Sequence, residues 1–145
     1  MVFKINVSHK GKTAKFETDN EALVDKLIGE KIPGTEISAD LGAYELEITG
    51  TSDKAGFPGL KNVKGAGLKR MLLTYGIGMH KKPRGLSKKP VASPKGLKLR
   101  KTVRGNVISP DTVQINTKVV KEGSKKFEEF LPKKEEAAKP AEPAK

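Results

Sequence analysis

Between Lys54 and Pro110 the chain carries fifteen basic side chains and not one Asp or Glu. Like charges gathered on one compact surface repel each other, and a cationic stretch interrupted by Gly and Pro buries too little apolar area to pack on itself. The segment must therefore be held by the rest of the chain, by a counter-charged partner, or by both. Its flanks differ. Residues 1–53 hold six basic and ten acidic groups, and residues 111–145 hold eight and seven, so the net charge of +12 originates in the middle. Surfaces that are merely solvated mix both signs. A block of one sign running through 57 residues points instead to a polyanionic partner, nucleic acid foremost.

At 145 residues there is room for one domain with a core, plus a tail. Only 35% of the residues are hydrophobic, a lean core that leaves part of the chain to be ordered by a partner. Absence of cysteine excludes disulfides, zinc knuckles and thiol catalysis. No apolar leader follows Met1, and no segment approaches the ~20 apolar residues of a membrane span. A cytoplasmic protein with no membrane partner is expected. His9 and His80 stand apart with no metal-ligand spacing, and the carboxylates form no recognisable catalytic pair. The sequence therefore predicts no enzyme, no cofactor, no metal and no small-molecule substrate.

Hydrophobic periodicity supplies the elements. Phe3, Ile5 and Val7 alternate with polar residues as in a half-buried strand, followed by a turn at Ser8–Gly11 and a second strand through Ala14 and Phe16. Thr18 with Glu21 reads as a capping box, and Leu23, Val24, Leu27 and Ile28 as the stripe of a short helix ending at Gly29. Tyr44, Leu46 and Ile48 make another strand, Met71 to Tyr75 a short buried one, and Val113, Ile115 and Val119 the last. A short helix is expected over Ser124 to Leu131, grouping Phe127, Phe130 and Leu131, and the Lys/Glu/Ala/Pro tail beyond it is expected to be disordered. The fold class is mainly β with a short α-helix, over a domain of residues 1–121.

Within the acid-free block, two basic loops are expected, at 50–70 and 76–96. The first holds Lys54, Lys61, Lys64, Lys69 and Arg70; the second Lys81, Lys82, Arg84, Lys88, Lys89 and Lys95. Gly56, Gly59, Gly65 and Gly67, with Gly105 further on, would let the backbone lie close to phosphates. From Leu97 the strand pattern returns. Leu97, Leu99, Lys101 and Val103 share one face, while Lys98, Arg100, Thr102 and Arg104 share the other, which lines up three cations as a phosphate-contacting surface. An edge strand guarded by charge would show the same pattern. Arg70, Arg84, Arg100 and Arg104 are suited to bidentate or stacked contacts, the lysines to tolerant point-charge contacts.

Two motifs fail on context. Gly56-Phe57-Pro58-Gly59 has GxxG spelling but no flanking helices, and Gly65 to Arg70 lacks the ending and the strand–loop–helix setting of a nucleotide-binding loop. Phe57 and Tyr75, the two aromatics of the block, could stack on bases, but core packing is the expectation. So few aromatics favour recognition of folded RNA by shape and phosphate over the reading of single strands.

Four stretches carry a family resemblance: Leu27-Ile28-Gly29-Glu30-Lys31-Ile32; Ile48 to Pro58, containing Ser52-Asp53-Lys54-Ala55-Gly56-Phe57-Pro58; Lys69-Arg70-Met71-Leu72-Leu73; and Arg100-Lys101-Thr102-Val103-Arg104-Gly105-Asn106-Val107-Ile108. In order and spacing, from about Met1 to Val120, they resemble small-subunit ribosomal protein six of the archaeal and eukaryotic type. The resemblance implies a small β-barrel-like domain embedded in small-subunit rRNA among neighbouring ribosomal proteins, with no enzymatic role. It implies that the Gly56-Phe57-Pro58 loop and the Lys101 to Gly105 strand lie near the RNA. Gly59 stands where the family commonly has Met, and a short mixed-charge tail replaces the long basic helix of eukaryotic members, which fits an archaeal type. A nucleoid or chromatin-type DNA-binding protein would share the charge, but no recognition helix is legible.

Overall fold

The computed structural model describes residues 2–80, 95–123 and 125–131. Seven strands carry the fold: β1 (Phe3–His9), β2 (Lys12–Thr18), β3 (Lys31–Pro33), β4 (Glu45–Asp53), β5 (Leu68–Thr74), β6 (Lys98–Arg104) and β7 (Thr112–Lys121). Five of them form a mixed sheet in the order β2-β1-β7-β4-β3, and β5 pairs with β6 in a separate two-stranded ribbon. The mainly β class is as expected. The barrel is not: β2 and β3 are free edges of an open sheet among the described residues.

The N-terminal hairpin follows from its turn. Lys10 and Gly11 both take positive φ (45° and 80°), the twist a two-residue hairpin loop needs, and they bring Phe3 opposite Thr18 and Val7 opposite Ala14. Alternation then sorts the side chains: Phe3, Ile5, Val7 and Ala14 go inside with Leu46, Ile48 and Ile115. β7 is central, parallel to β1 on one side and antiparallel to β4 on the other. The irregular stretch between β2 and β4 closes the core with Leu23, Ile28, Ile32, Ile37, Leu41 and Tyr44.

The helix expected after Thr18 is absent. Asn20, not Thr18, caps a single 3-10 turn at Glu21–Leu23, and Val24 is already extended. Asp25 then takes φ 68°, and the backbone of this segment pairs with the connection between β6 and β7: Asp25 N–H donates to Ile108 O, Ile28 N–H to Asn106 O and Ile108 N–H to Lys26 O. Tertiary pairing replaces the intrahelical bonds, so the apparent stripe splits, with Leu23 and Ile28 buried and Leu27 exposed. Likewise the helix expected over 124–131 is one 3-10 turn, Phe127–Phe130. Its apolar grouping holds: Phe127 is buried, and Phe130 and Leu131 pack against the core. Ser124 and the tail from residue 132 onward lie outside the described residues.

Candidate nucleic-acid interface

β4 ends at Asp53, the last carboxylate before the acid-free run, and the interface is built outward from it. Asp53 is 6% exposed. One carboxylate oxygen accepts the Phe57 N–H at 2.8 Å, the other the Arg104 Nε–H at 3.0 Å. Arg104 Nη1 donates to the Ala66 carbonyl and to Ser109 Oγ and lies 3.5 Å from Asp111 Oδ2. One guanidinium thus joins the end of β4, the loop of residues 54–67 and the start of β7. A buried pair of this kind survives only with its remaining donors satisfied, which these bonds accomplish. Arg104 does share a ribbon face with Lys98 and Arg100, as alternation requires, yet the loop folds over it and its side chain is 12% exposed. Its guanidinium serves the protein's own carbonyls and carboxylates.

The loop glycines divide along the same line. Gly59 and Gly105 are buried, and a Cβ on either would collide with the protein itself: on Gly59 with Thr51 Oγ1, on Gly105 with the Gly65 carbonyl oxygen. Their missing side chains allow the loop to dock on β6, where Leu60 N–H donates to Arg104 O and Arg104 N–H to Pro58 O. Gly56 and Gly65 hold positive φ in open space, and Gly67 has ordinary φ with nothing within 4 Å of where a methyl group would stand. Of these five, Gly56, Gly65 and Gly67 face outward.

The ribbon carries the exposed cations. Directly opposed residues of an antiparallel pair share a face, so the register sets Leu68, Arg70, Leu72 and Thr74 beside Arg104, Thr102, Arg100 and Lys98. Arg70, Lys98 and Arg100 are exposed on this outer face, and none is in an ion pair with a described residue. Lys69 and Lys101 project from the other face; Lys69 Nζ donates to the Lys64 carbonyl. Lys54, Lys61, Lys64 and Lys95 are exposed in the connections, Lys54 within 3.9 Å of Asp111. Lys81, Lys82, Arg84, Lys88 and Lys89 lie outside the described residues.

Two expectations here are corrected. β5 is exposed along almost its whole length rather than buried, because the ribbon stands off the five-stranded sheet with Val103 the one fully buried residue of its two strands. Tyr75, expected in the core, is 53% exposed and meets His80 edge-to-face at 6.0 Å. Phe57 is half-buried beside Asp53. The Asp53–Arg104 centre has no periodic signature, since its members come from three elements. The one sequence signal was position: a carboxylate standing where negative charge stops.

No group of His, Asp or Glu among the described residues could hold a metal ion, and no helix among them is long and apolar enough to cross a membrane. What the arrangement offers is charge, exposed donors and a shaped surface. The sequence model of the family described as Ribosomal protein S6e matches residues 1–132. The chain belongs to the ribosomal protein S6e family. It is 44% identical over 126 residues to small ribosomal subunit protein eS6 of Methanococcus maripaludis, covering 86% of this chain and 91% of that one. The same protein of Methanothermobacter thermautotrophicus is 42% identical over 139 residues, covering 94% and 100%, and that of Archaeoglobus fulgidus 43% identical over 114 residues, covering 79% of each chain. These three S6e relatives are archaeal.

Proposed function

We propose that this S6e chain is a structural, non-enzymatic constituent of the small ribosomal subunit, binding folded rRNA in the cytoplasm beside other ribosomal proteins. Residues 1–121 are its RNA-binding unit. The observation that carries the reading is the cationic ribbon and loop surface, on which Arg70, Lys98 and Arg100 have no ion-pair partner among the described residues. On it, Lys54, Lys61, Lys64, Lys69, Lys95 and Lys101 neutralise phosphates and release counterions, and the arginines make the bidentate contacts. Lys81, Lys82, Arg84, Lys88 and Lys89 bind phosphate in the same way. Gly56, Gly65 and Gly67 give the RNA backbone its closest approach to the polypeptide. Arg104 supports this surface from beneath.

The test is a salt titration of binding to small-subunit rRNA. For the double variant Arg70→Ala/Arg100→Ala, affinity falls and the slope of log K against log salt decreases by about 2, roughly 1 for each phosphate contact removed. Its unfolding midpoint stays at the wild-type value, because both side chains are exposed. Unchanged affinity and slope would refute the assignment, and a preference for duplex DNA at matched salt would favour a chromatin-type role.

A further inference from the structure

The outer face of the β5–β6 ribbon exposes more than charge. Among the described residues, five of the eight large apolar side chains left exposed are Leu68, Met71, Leu72, Tyr75 and Ile77, all on β5 or just after it. Leu68 and Leu72 are 48% and 57% exposed and share the outer face with the cations. Across the ribbon Leu72 opposes Arg100 and Leu68 opposes Arg104, while along β5 Arg70 stands between the two leucines. Four steps of strand rise set the leucines about 13 Å apart. Scattered exposed leucines need no explanation, but two that flank the unpaired Arg70 on one face, one of them opposite the unpaired Arg100, form a mixed surface.

We propose that this face recognises RNA by shape as well as by charge. Leu68 and Leu72 pack against ribose rings and base edges in a shallow groove of folded RNA, while Arg70, Arg100 and Lys98 reach the flanking phosphates. The proposal rests on the rRNA-binding reading and adds to it a contact independent of salt. The complementarity of charge selects the occupant. Nothing acidic lies within the segment, so a protein partner would have to supply carboxylates to three cations and an apolar face together. RNA offers both chemistries at the spacing of its own backbone, and the wide, shallow minor groove of an A-form helix presents sugar edges to such a surface.

The experiment compares Leu68→Thr/Leu72→Thr with Leu68→Met/Leu72→Met. Threonine keeps strand preference while removing apolar reach, and methionine keeps both size and character. The probes are transcribed small-subunit rRNA and heparin, a polyanion without RNA's groove. The Thr pair should bind rRNA about tenfold or more weakly at every salt concentration, with the wild-type salt slope, and bind heparin unchanged. The Met pair should match the wild type. Equal rRNA affinity for the Thr pair overturns the proposal, as does an equal loss toward heparin. A photocrosslinking group at position 72 in assembled subunits gives an independent readout: attachment to rRNA supports the proposal, and attachment to protein alone overturns it. If the wild type itself binds rRNA no better than heparin, the rRNA-binding reading falls, an outcome distinct from failure of the leucines.

Discussion

Gly105→Ala would drive a methyl group onto the Gly65 carbonyl oxygen, far inside contact distance, where both partners are backbone and neither can rotate aside. Docking of the loop on β6 must loosen, lowering stability by about 2 kcal/mol. Gly67→Ala, two residues from Gly65 but facing open space at ordinary φ, should change stability by no more than about 0.5 kcal/mol. Urea unfolding of the two variants checks the difference, and a Gly67→Ala variant as unstable as Gly105→Ala would refute the division of glycines into inner and outer. At this scale the sequence was only partly legible. Composition identified a glycine-rich basic loop, but identical residues serve opposite purposes according to what lies over them. Arg104 shows the same limit. Alternation placed it on the right face of β6, yet only the fold reveals that residues 54–67 cover that end of the strand and turn its guanidinium toward Asp53.

Elements whose periodicity matched their burial were readable in advance. Phe3, Ile5 and Val7, or Tyr44, Leu46 and Ile48, alternate because one face of the sheet is wet and the other dry. The segment after Thr18, helical by its pattern, satisfies its backbone groups on the β6–β7 connection, which no local pattern reports. The segment of residues 125–131 illustrates a further physical point. Phe127 and Phe130 anchor it to the core, and ion pairs tie its surroundings down: Lys10 to Glu122, Lys12 to Glu128 and Lys125 to Asp40. Hydrogen bonding to Lys10 holds the Glu122 carboxyl below its ordinary value of 4.5, and Lys12 does the same for Glu128. A depressed folded value stabilises above the unfolded one and ceases to do so as pH falls through it. Acidification below 4.5 should therefore loosen this strap, as should salt, because the pairs are exposed. Protection of the Phe127–Phe130 amides against exchange, referred to the intrinsic rate at each pH, should fall in acid more than that of the β4–β7 ladder; an equal fall in both would mean that the strap opens only with the whole sheet.

For the whole molecule, charge and core separate cleanly: the apolar cluster comes from residues 3–48, 108–119 and 127–131, and the exposed cations of the ribbon come from between them. The sequence made that division visible through the position of its carboxylates, although it could not tell a closed barrel from an open sheet. Closure depends on which edges meet, and periodicity carries no information about edges. Deleting residues 122–145 removes Phe127 from the core and Phe130 from against it and should cost about 3 kcal/mol or more, read as a lower urea midpoint. A truncated chain as stable as the full one would show that the aromatic strap only rests on a core already complete.

The parallel pairing of β1 with β7 joins residues near the two ends of the described chain, Lys4 beside Gln114 and Ser8 beside Lys118. During synthesis the first hairpin can form early, but the sheet cannot close until the last strand has emerged. During that interval the cationic block emerges before the sheet that carries it is complete. Contacts between such distant partners also slow folding, because the long intervening loop must be ordered first. A nascent chain of this topology meets its surroundings charge first and shape last.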